Sequence, residues 1–142
     1  MANQKELDLC YMSVAEAHAK LSKAKRNKVG CALVTNNGVI LGGCNGLAPG
    51  SSNELEWKDG TLGVLVTKPE VIHGELNCLL KAAREGISVV GGTLYTTLSC
   101  CKPCSEMIAA AGIKRVVYKE EYRDTSGIEN LKALGVVVEK LA

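Results

Sequence analysis

Residues 93–118, TLYTTLSCCKPCSEMIAAAGIKRVVY, decide the fold of this chain. They begin with a strand-like run at 93–98 and continue into a segment with helical spacing at 102–111. Gly112 ends that segment, and a second apolar run follows at 114–118. A strand, a helix and a strand in this order predict a parallel pair of strands joined by a right-handed crossover. The stretch therefore indicates an α/β domain.

The rest of the chain extends the same alternation. Helical patterns occur at residues 5–24, 73–85 and 127–134, and strand patterns at 29–35, 39–44 and 136–139. Asn36-Asn37-Gly38 is typical of a tight hairpin turn. We predict one domain, residues 1–142, with a three-layer α/β/α architecture. Its mixed five-stranded sheet would carry helices on both faces, and only the first hairpin would be antiparallel.

Helical spacing also predicts which faces are buried. In the first helix the predicted inward residues are Leu9, Met12, Ala15 and Ala19. In the second they are Leu76, Leu79, Leu80 and Ala83.

Residues 47–72 have a weak pattern, strand-like only at 61–66. A loop of this length inside a compact domain is uncommon and often functional. A surface insertion without function is equally compatible with the pattern.

The composition is that of an ordinary globular protein: 142 residues, 46% apolar and 23% charged. No apolar run approaches the roughly 18 residues of a membrane helix, and the first ten residues do not resemble a secretory leader. We therefore expect a cytoplasmic protein (host cytoplasm if viral) without membrane contact. The net charge of +2 gives no argument for nucleic-acid binding.

Seven cysteines in a chain expected inside the cell need an explanation, because a reducing compartment disfavours disulfides. Three of them lie in apolar patterns and are interpreted as small core residues: Cys10, Cys31 and Cys78. The cluster Cys100, Cys101 and Cys104 is different.

Two short motifs open successive helices, His73-Gly74-Glu75 and Cys101-Lys102-Pro103-Cys104. A Cys-x-x-Cys pair at a helix start can place both sulfurs on one metal ion, and the helix N-terminus favours thiolates. Two thiolates and one imidazole suit Zn²⁺. Three protein ligands leave a fourth position for water, as in catalytic zinc sites. Glu75 is placed to move protons there.

Spacing alone leaves alternatives open. A structural zinc site needs a fourth ligand, which Cys100, Cys78 or His18 could supply. A redox dithiol at Cys101 and Cys104 needs no histidine at all.

The paired motifs have a wider context. His-x-Glu followed by Cys-x-x-Cys is the pattern of zinc deaminases, in which the Glu is a general acid/base and not a ligand. Together with KVGCALVTNNGVILGGCNG (28–46), ELEW (54–57) and IHGELNCLLKAA (72–83), it resembles the zinc-dependent cytidine and deoxycytidylate deaminase family. The similarity is to the deoxycytidylate branch that phages and eukaryotes share, and it runs from about residue 11 to the C-terminus.

The resemblance implies the cytidine-deaminase-like fold, which agrees with the predicted order of elements. It also implies the reaction dCMP + water → dUMP + ammonia, which supplies dUMP for thymidylate synthesis. It implies one zinc on His73, Cys101 and Cys104. Glu75 would protonate N3 of the base and then the leaving amine. Asn45 matches the asparagine that hydrogen-bonds the sugar 3′-hydroxyl.

The substrate phosphate needs a cation. Basic residues crowd the end of the first predicted helix, where cations also complement the helix dipole. Arg26 and Lys28 are nearest to the pocket strand and are the predicted phosphate contacts. Tyr122, with Arg123, matches a loop near the substrate in relatives. Backbone and side chains near residues 29–33 and 97–98 would line the base pocket.

Three departures from the family pattern bear on these expectations. Gly74 replaces the usual alanine between ligand and acid/base. Cys100 replaces the usual proline and could compete with Cys101 for zinc, although Cys101 keeps the spacing to Cys104. Cys44 replaces a tyrosine in a region associated with nucleotide regulation.

The resemblance further implies a homo-oligomer, hexameric in many members, activated by dCTP and inhibited by dTTP, with Mg²⁺ accompanying the regulatory nucleotide. The main rival is another zinc deaminase, acting on cytidine, a tRNA adenosine or single-stranded DNA. The modest net charge disfavours a polynucleotide substrate.

Overall fold

A five-stranded mixed sheet forms the centre of the computed structural model, which describes residues 1–60 and 63–141. The elements are α1 (Gln4–Ala19), β1 (Gly30–Val34), β2 (Ile40–Cys44), β3 (Glu56–Lys58), β4 (Leu65–Thr67), α2 (Gly74–Glu85), β5 (Thr93–Leu98), α3 (Lys102–Ala110), β6 (Arg115–Glu120), α4 (Ser126–Ala133) and β7 (Val137–Lys140). The strand order is β2-β1-β5-β6-β7. The predicted α/β/α architecture with an antiparallel first hairpin is confirmed.

The pairing of β1 differs from the prediction. This strand is antiparallel to β2 and also to β5, while β5, β6 and β7 are mutually parallel. The expectation that only the first hairpin is antiparallel was wrong. The connection from β2 through α2 to β5 passes over β1, so β1 lies between two strands that both run against it. Hydrophobic periodicity predicts where the strands lie in the sequence. It does not predict which strands are neighbours in the sheet.

Alternating side chains of the sheet face two separate cores, as expected for strands with a period of two. In β1, Ala32 faces α1 and packs with Met12, whereas Cys31 and Leu33 face the opposite side. That opposite side is covered by α2, α3 and α4. The layers place the N-termini of α2 and α3 close together at one end of the domain.

A buried carboxylate attaches α1 to the sheet. Asp8 is 6% exposed, accepts a hydrogen bond from the Tyr95 hydroxyl (2.6 Å) and pairs with the Arg115 guanidinium (2.7 and 2.8 Å). Arg115 also pairs with Glu139 on β7 at 3.0 Å. The Arg115 guanidinium, helped by Tyr95, lowers the pKa of Asp8 to about 2. The helical pattern had indicated Leu9 and not Asp8 as the inward residue, yet Leu9 is 46% exposed.

The first helix ends at Ala19 and not at residue 24 as predicted. Ser22 is buried, and its hydroxyl lies 2.7 Å from Asn45 Oδ1 and 3.0 Å from the Asn45 carbonyl oxygen. Because this contact draws the chain toward the end of β2, the residues after Ala19 leave the helical path. The good helix formers that follow are overridden by a tertiary contact.

The predicted buried stripe of α2 was also wrong. Leu80 is 46% exposed and Ala83 is exposed, while Leu76 and Leu79 are only partly buried. The buried residues of α2 are instead Gly74, Glu75, Cys78 and Ala82. The helix is therefore oriented with a carboxylate facing the interior, which a search for apolar stripes cannot find.

Residues 47–72 contain a small ribbon in which β3 pairs antiparallel with β4. Its base is closed by two hydrogen bonds between Gly46 and Ile72 (3.0 and 2.8 Å). The sequence predicted a strand at 61–66; residues 61 and 62 lie outside the described residues, β4 occupies 65–67, and β3 was not predicted. No helix in the described part of the chain has the length and hydrophobicity of a membrane span.

Candidate active site

Three side chains with metal-binding atoms meet where α2 and α3 begin. His73 precedes α2, Cys101 precedes α3, and Cys104 lies in the first turn of α3. The Nδ1 atom of His73 is 3.2 Å from Cys104 Sγ and 3.4 Å from Cys101 Sγ. A tetrahedral zinc with one nitrogen and two sulfur ligands requires N···S separations of roughly 3.5 Å. The spacing and the donor types therefore fit Zn²⁺.

The electrostatics of the cluster also favour a bound cation. Hydrogen bonds from Cys104 and His73 lower the pKa of Cys101 to about 4, so this sulfur is a thiolate at neutral pH. The hydrogen bond with Cys101 raises the pKa of Cys104. The hydrogen bond to Cys101 raises the pKa of His73. A bound metal ion would stabilise both cysteines as thiolates, since the ligand form of cysteine is the thiolate.

The proposed fourth ligands of a structural site lie elsewhere. Cys100 is 2% exposed and packs into the core, and Cys78 is buried near the carbonyls of Cys31 and Leu41. The ring of His18 lies against Gly42, away from the cluster. Within residues 1–60 and 63–141, the cluster of His73, Cys101 and Cys104 has no fourth His, Cys, Asp or Glu ligand. This arrangement disfavours a closed structural site, and in the part of the chain that the structure describes no second such cluster supports another metal such as Mg²⁺.

Glu75 lies beside the cluster but is not part of it. Its side chain is 4% exposed, and its Oε1 lies 3.5 Å from the hydroxyl of the fully buried Thr96. Burial raises the pKa of Glu75. Two residues after a ligand in the first turn of α2, the carboxylate can exchange protons with a group at the open side of the cluster.

A cavity of about 180 Å³ opens onto these residues. His73, Glu75 and Cys101 line it on one side, and Asn45 and Tyr122 line it on another. Arg26 also lines this cavity, with its guanidinium 3.4 Å from the Thr67 hydroxyl. The structure thus brings most of the predicted site residues together.

Lys28 is placed differently. It lines a second cavity of about 290 Å³, together with Lys20, Lys119 and Thr97. The two cavities share the wall formed by Asn27, Val29 and Leu98. Lys28 therefore lies behind the wall of the first cavity and not on its surface.

Asn45 is held by its neighbours. Its Oδ1 accepts hydrogen bonds from the Ser22 hydroxyl (2.7 Å) and the Val29 amide (3.0 Å), and its Nδ2 donates to the Asn27 carbonyl (2.9 Å). A side-chain amide has two N–H donors, so one remains for a ligand. Ser22 was missed by sequence reasoning, because its partner is 23 positions away.

Another part of the cavity wall is fixed by small residues. The Ser99 hydroxyl accepts a hydrogen bond from the Tyr122 amide at 2.7 Å, which ties the loop after β6 to the strand that leads to the metal cluster. Gly127, in α4, has no room for a side chain, since a Cβ there would lie 2.1 Å from the carbonyl oxygen of Cys100. The first turn of α4 therefore packs directly on the backbone that presents Cys101.

Gly74, the departure from the usual alanine, has a local cause. A Cβ at this position would lie 3.1 Å from Cys31 Sγ, 3.3 Å from the Val29 carbonyl oxygen and 3.4 Å from the Asn45 amide nitrogen. The cysteine at position 31 therefore occupies space that a methyl group at position 74 would need.

The fold and the site together define a class of protein. In an α/β/α domain, two helix starts present one imidazole and two cysteine sulfurs, leave one metal position open, and place a buried carboxylate beside it. This is the arrangement of a catalytic and not a structural zinc centre.

Comparisons with known proteins agree. The model of the cytidine and deoxycytidylate deaminase zinc-binding region matches residues 5–120. Human deoxycytidylate deaminase is 34% identical over 119 residues, 81% of this chain and 66% of the human protein. The deoxycytidylate deaminase of Mycobacterium phage D29 is 34% identical over 123 residues, 80% of this chain and 94% of the phage protein.

Among solved structures, the dCMP deaminase of cyanophage S-TIM5, in complex with dCMP and dUMP, has a TM-score of 0.89 and 44% sequence identity. The match covers 98% of this chain and 99% of that one. The chain belongs to the zinc-binding cytidine and deoxycytidylate deaminase family, as the resemblance implied.

Proposed function

We propose that this chain is a zinc-dependent deaminase that converts dCMP and water to dUMP and ammonia. The observation that carries the proposal is the buried Glu75 beside the open three-ligand cluster of His73, Cys101 and Cys104, all at one cavity. The nucleotide class is supported by the 44% identical phage enzyme, which binds dCMP and dUMP.

The protein side of the chemistry follows from the geometry. When bound, zinc acts as a Lewis acid that makes water a nucleophile at neutral pH. Glu75 would take a proton from the water that zinc activates and transfer it to N3 of the pyrimidine. As the C4–N bond breaks, Glu75 would take the proton of the new C4 hydroxyl, which becomes the carbonyl, and pass it to the leaving amine, which departs as ammonia. Burial of Glu75 excludes bulk water as a competing proton donor.

The same proposal assigns the substrate contacts. The remaining N–H of Asn45 donates to the sugar 3′-hydroxyl, and Arg26 faces the phosphate. Tyr122 closes the cavity beside the substrate. Lys28 lines the adjoining cavity and not the one with His73 and Glu75. It therefore contributes to phosphate binding through the long-range attraction of its positive charge and not through direct contact.

The proposal also covers oligomeric assembly and regulation by nucleotides, for which family membership is the only support. A homo-hexamer, activation by dCTP and inhibition by dTTP are expected, and a cytoplasmic location fits the phage relatives. Cys44 is half-buried at the end of β2, where it replaces the family's tyrosine. Nothing among the described residues supports the Mg²⁺ expected with a regulatory nucleotide.

A substrate panel tests the proposal. Purified protein is incubated with dCMP, cytidine, dCTP and a short single-stranded DNA, and ammonia is measured. We expect dCMP to give the highest kcat/KM, and added dCTP and dTTP to raise and lower the rate. Faster release from cytidine or DNA would support the rival deaminase activities instead.

A further inference from the structure

Glu56, the first residue of the β3–β4 ribbon, has two carboxylate oxygens in different situations. Its Oε2 accepts hydrogen bonds from the backbone amides of Lys25 and Arg26, both at 2.8 Å. Its Oε1 is shielded from solvent and has no hydrogen-bond partner among the residues that the structure describes. One oxygen fixes the segment after α1, and the other is without a donor.

An acceptor in this position is suited to a donor from beyond the described residues. Nearly all buried polar atoms in proteins are paired, because an unpaired one loses the hydrogen bonds it made with water. Glu56 lines the same cavity as His73, Glu75 and Asn45. A molecule that fills this cavity can therefore supply the hydrogen-bond donor that Glu56 Oε1 lacks.

The charge of Glu56 restricts what that donor can be. A carboxylate repels a phosphate, so the phosphate lies away from Oε1, toward the Arg26 guanidinium. The base lies at the metal cluster, since its amino group must leave there. Between base and phosphate, a deoxyribonucleotide offers one O–H donor, the 3′-hydroxyl. Asn45 holds one free N–H at the same cavity, which suits the oxygen of that hydroxyl.

We propose that Glu56 is a specificity-determining residue that accepts a hydrogen bond from the substrate 3′-hydroxyl through Oε1, while Asn45 donates to the same hydroxyl. This assignment rests on the proposed function. It gives residues 47–72 a role, because they bring to the cavity a charged acceptor that recognises the sugar. A nucleotide without a 3′-hydroxyl leaves that acceptor unpaired.

Glu56→Gln tests the assignment while keeping the fold. The glutamine oxygen can keep the two backbone amides, which puts its NH₂ group in place of Oε1 and turns an acceptor into a donor. The readout is the ratio of kcat/KM for dCMP to that for 2′,3′-dideoxycytidine monophosphate. We expect a ratio of roughly ten to a hundred in the natural protein, as for a hydrogen bond to a charged group. In Glu56→Gln the ratio should be several-fold smaller, because only the Asn45 contact to the hydroxyl remains.

Glu54→Gln is the matched control, since Glu54 is exposed on the same segment and does not line the cavity. It should keep the natural ratio. An unchanged ratio in Glu56→Gln would overturn the assignment.

A second measurement needs no variant. The natural protein is assayed with 3′-fluoro-2′,3′-dideoxycytidine monophosphate, whose fluorine cannot donate a hydrogen bond. We expect a loss as large as with the dideoxy nucleotide. If the fluoro nucleotide reacts as well as dCMP, the 3′-hydroxyl does not donate a hydrogen bond that matters for activity, and Glu56 is not its acceptor. Failure of the natural protein to deaminate dCMP would instead contradict the proposed function, and this assignment with it.

Discussion

Three consecutive residues at the start of α2 have three different tasks. His73 presents a ring nitrogen to the thiols of α3, Gly74 makes room for Cys31, and Glu75 places a carboxylate inside the domain. Because they occupy the last residue before the helix and its first turn, their relative positions are set by the helix geometry itself. The proposed proton carrier is therefore held at a fixed distance from the proposed metal ligand.

The cysteine register can be tested at this scale. Cys101→Ser should lose most of its zinc, because a thiolate that faces His73 is replaced by a hydroxyl that ionises poorly. Cys100→Ser should keep its zinc, since that side chain is buried away from the cluster. Zinc per chain is measured by elemental analysis after gel filtration. The reverse pattern would show that Cys100 is the ligand.

The space around Gly74 leads to a second prediction. Gly74→Ala places a methyl group 3.1 Å from Cys31 Sγ. The steric cost, about 1 kcal/mol, should offset the gain in helix propensity that alanine brings over glycine. Adding Cys31→Ala should remove the steric cost, so that the two changes couple by about 1 kcal/mol in the free energy of unfolding. Cys10→Ala, an exposed cysteine on α1, is the control and should be additive. Equal additivity for Cys31→Ala would refute the steric explanation.

Among the elements, α1 depends on Asp8 for its attachment to the sheet. The folded-state pKa of Asp8, about 2, lies below the ordinary value of 3.8. The carboxylate therefore stabilises the fold fully above the unfolded pKa, and this contribution is lost as the pH falls from about 4 toward 2. Asp8→Asn should lower the free energy of unfolding at pH 7 by about 2 kcal/mol. Near pH 2 the variant and the natural protein should differ little.

Urea unfolding at both pH values measures this. The control is Glu16→Gln, which removes an exposed ion pair with Lys119 and should have little effect. If the free energy of unfolding of Asp8→Asn is as far below that of the natural protein at pH 2 as at pH 7, then packing, and not charge, attaches α1 to the sheet.

The same scale shows what the sequence could predict. Local periodicity and the Asn36-Asn37-Gly38 turn were enough for the order of the main helices and strands. The antiparallel pairing of β1 with β5 could not be predicted from these signals. It depends on the α2 connection passing over β1, so that β5 is added beside β1 and not beside β2. The end of α1 and the inward face of α2 were also missed, since they are set by Ser22 bonding to Asn45 and by burial of Glu75.

In the molecule as a whole, the cavity is assembled from segments far apart in the chain. Spacing within short motifs predicted the metal cluster, because its members lie at two helix starts. Contacts such as Lys25 with Glu56 and Tyr122 with Ser99 join residues 31 and 23 positions apart. A local sequence pattern cannot predict contacts between such distant residues. The positions of Glu56 and Ser99 at the cavity are therefore known only from the folded structure.

The central claim is that Glu75 moves protons at a zinc held by His73, Cys101 and Cys104. Its most direct test measures ammonia release from dCMP and zinc content in the same samples of the natural protein and Glu75→Gln. We predict equal zinc and equal thermal stability, with turnover reduced roughly 10²- to 10⁴-fold in the variant. Normal turnover by a zinc-loaded, folded Glu75→Gln protein would contradict the account.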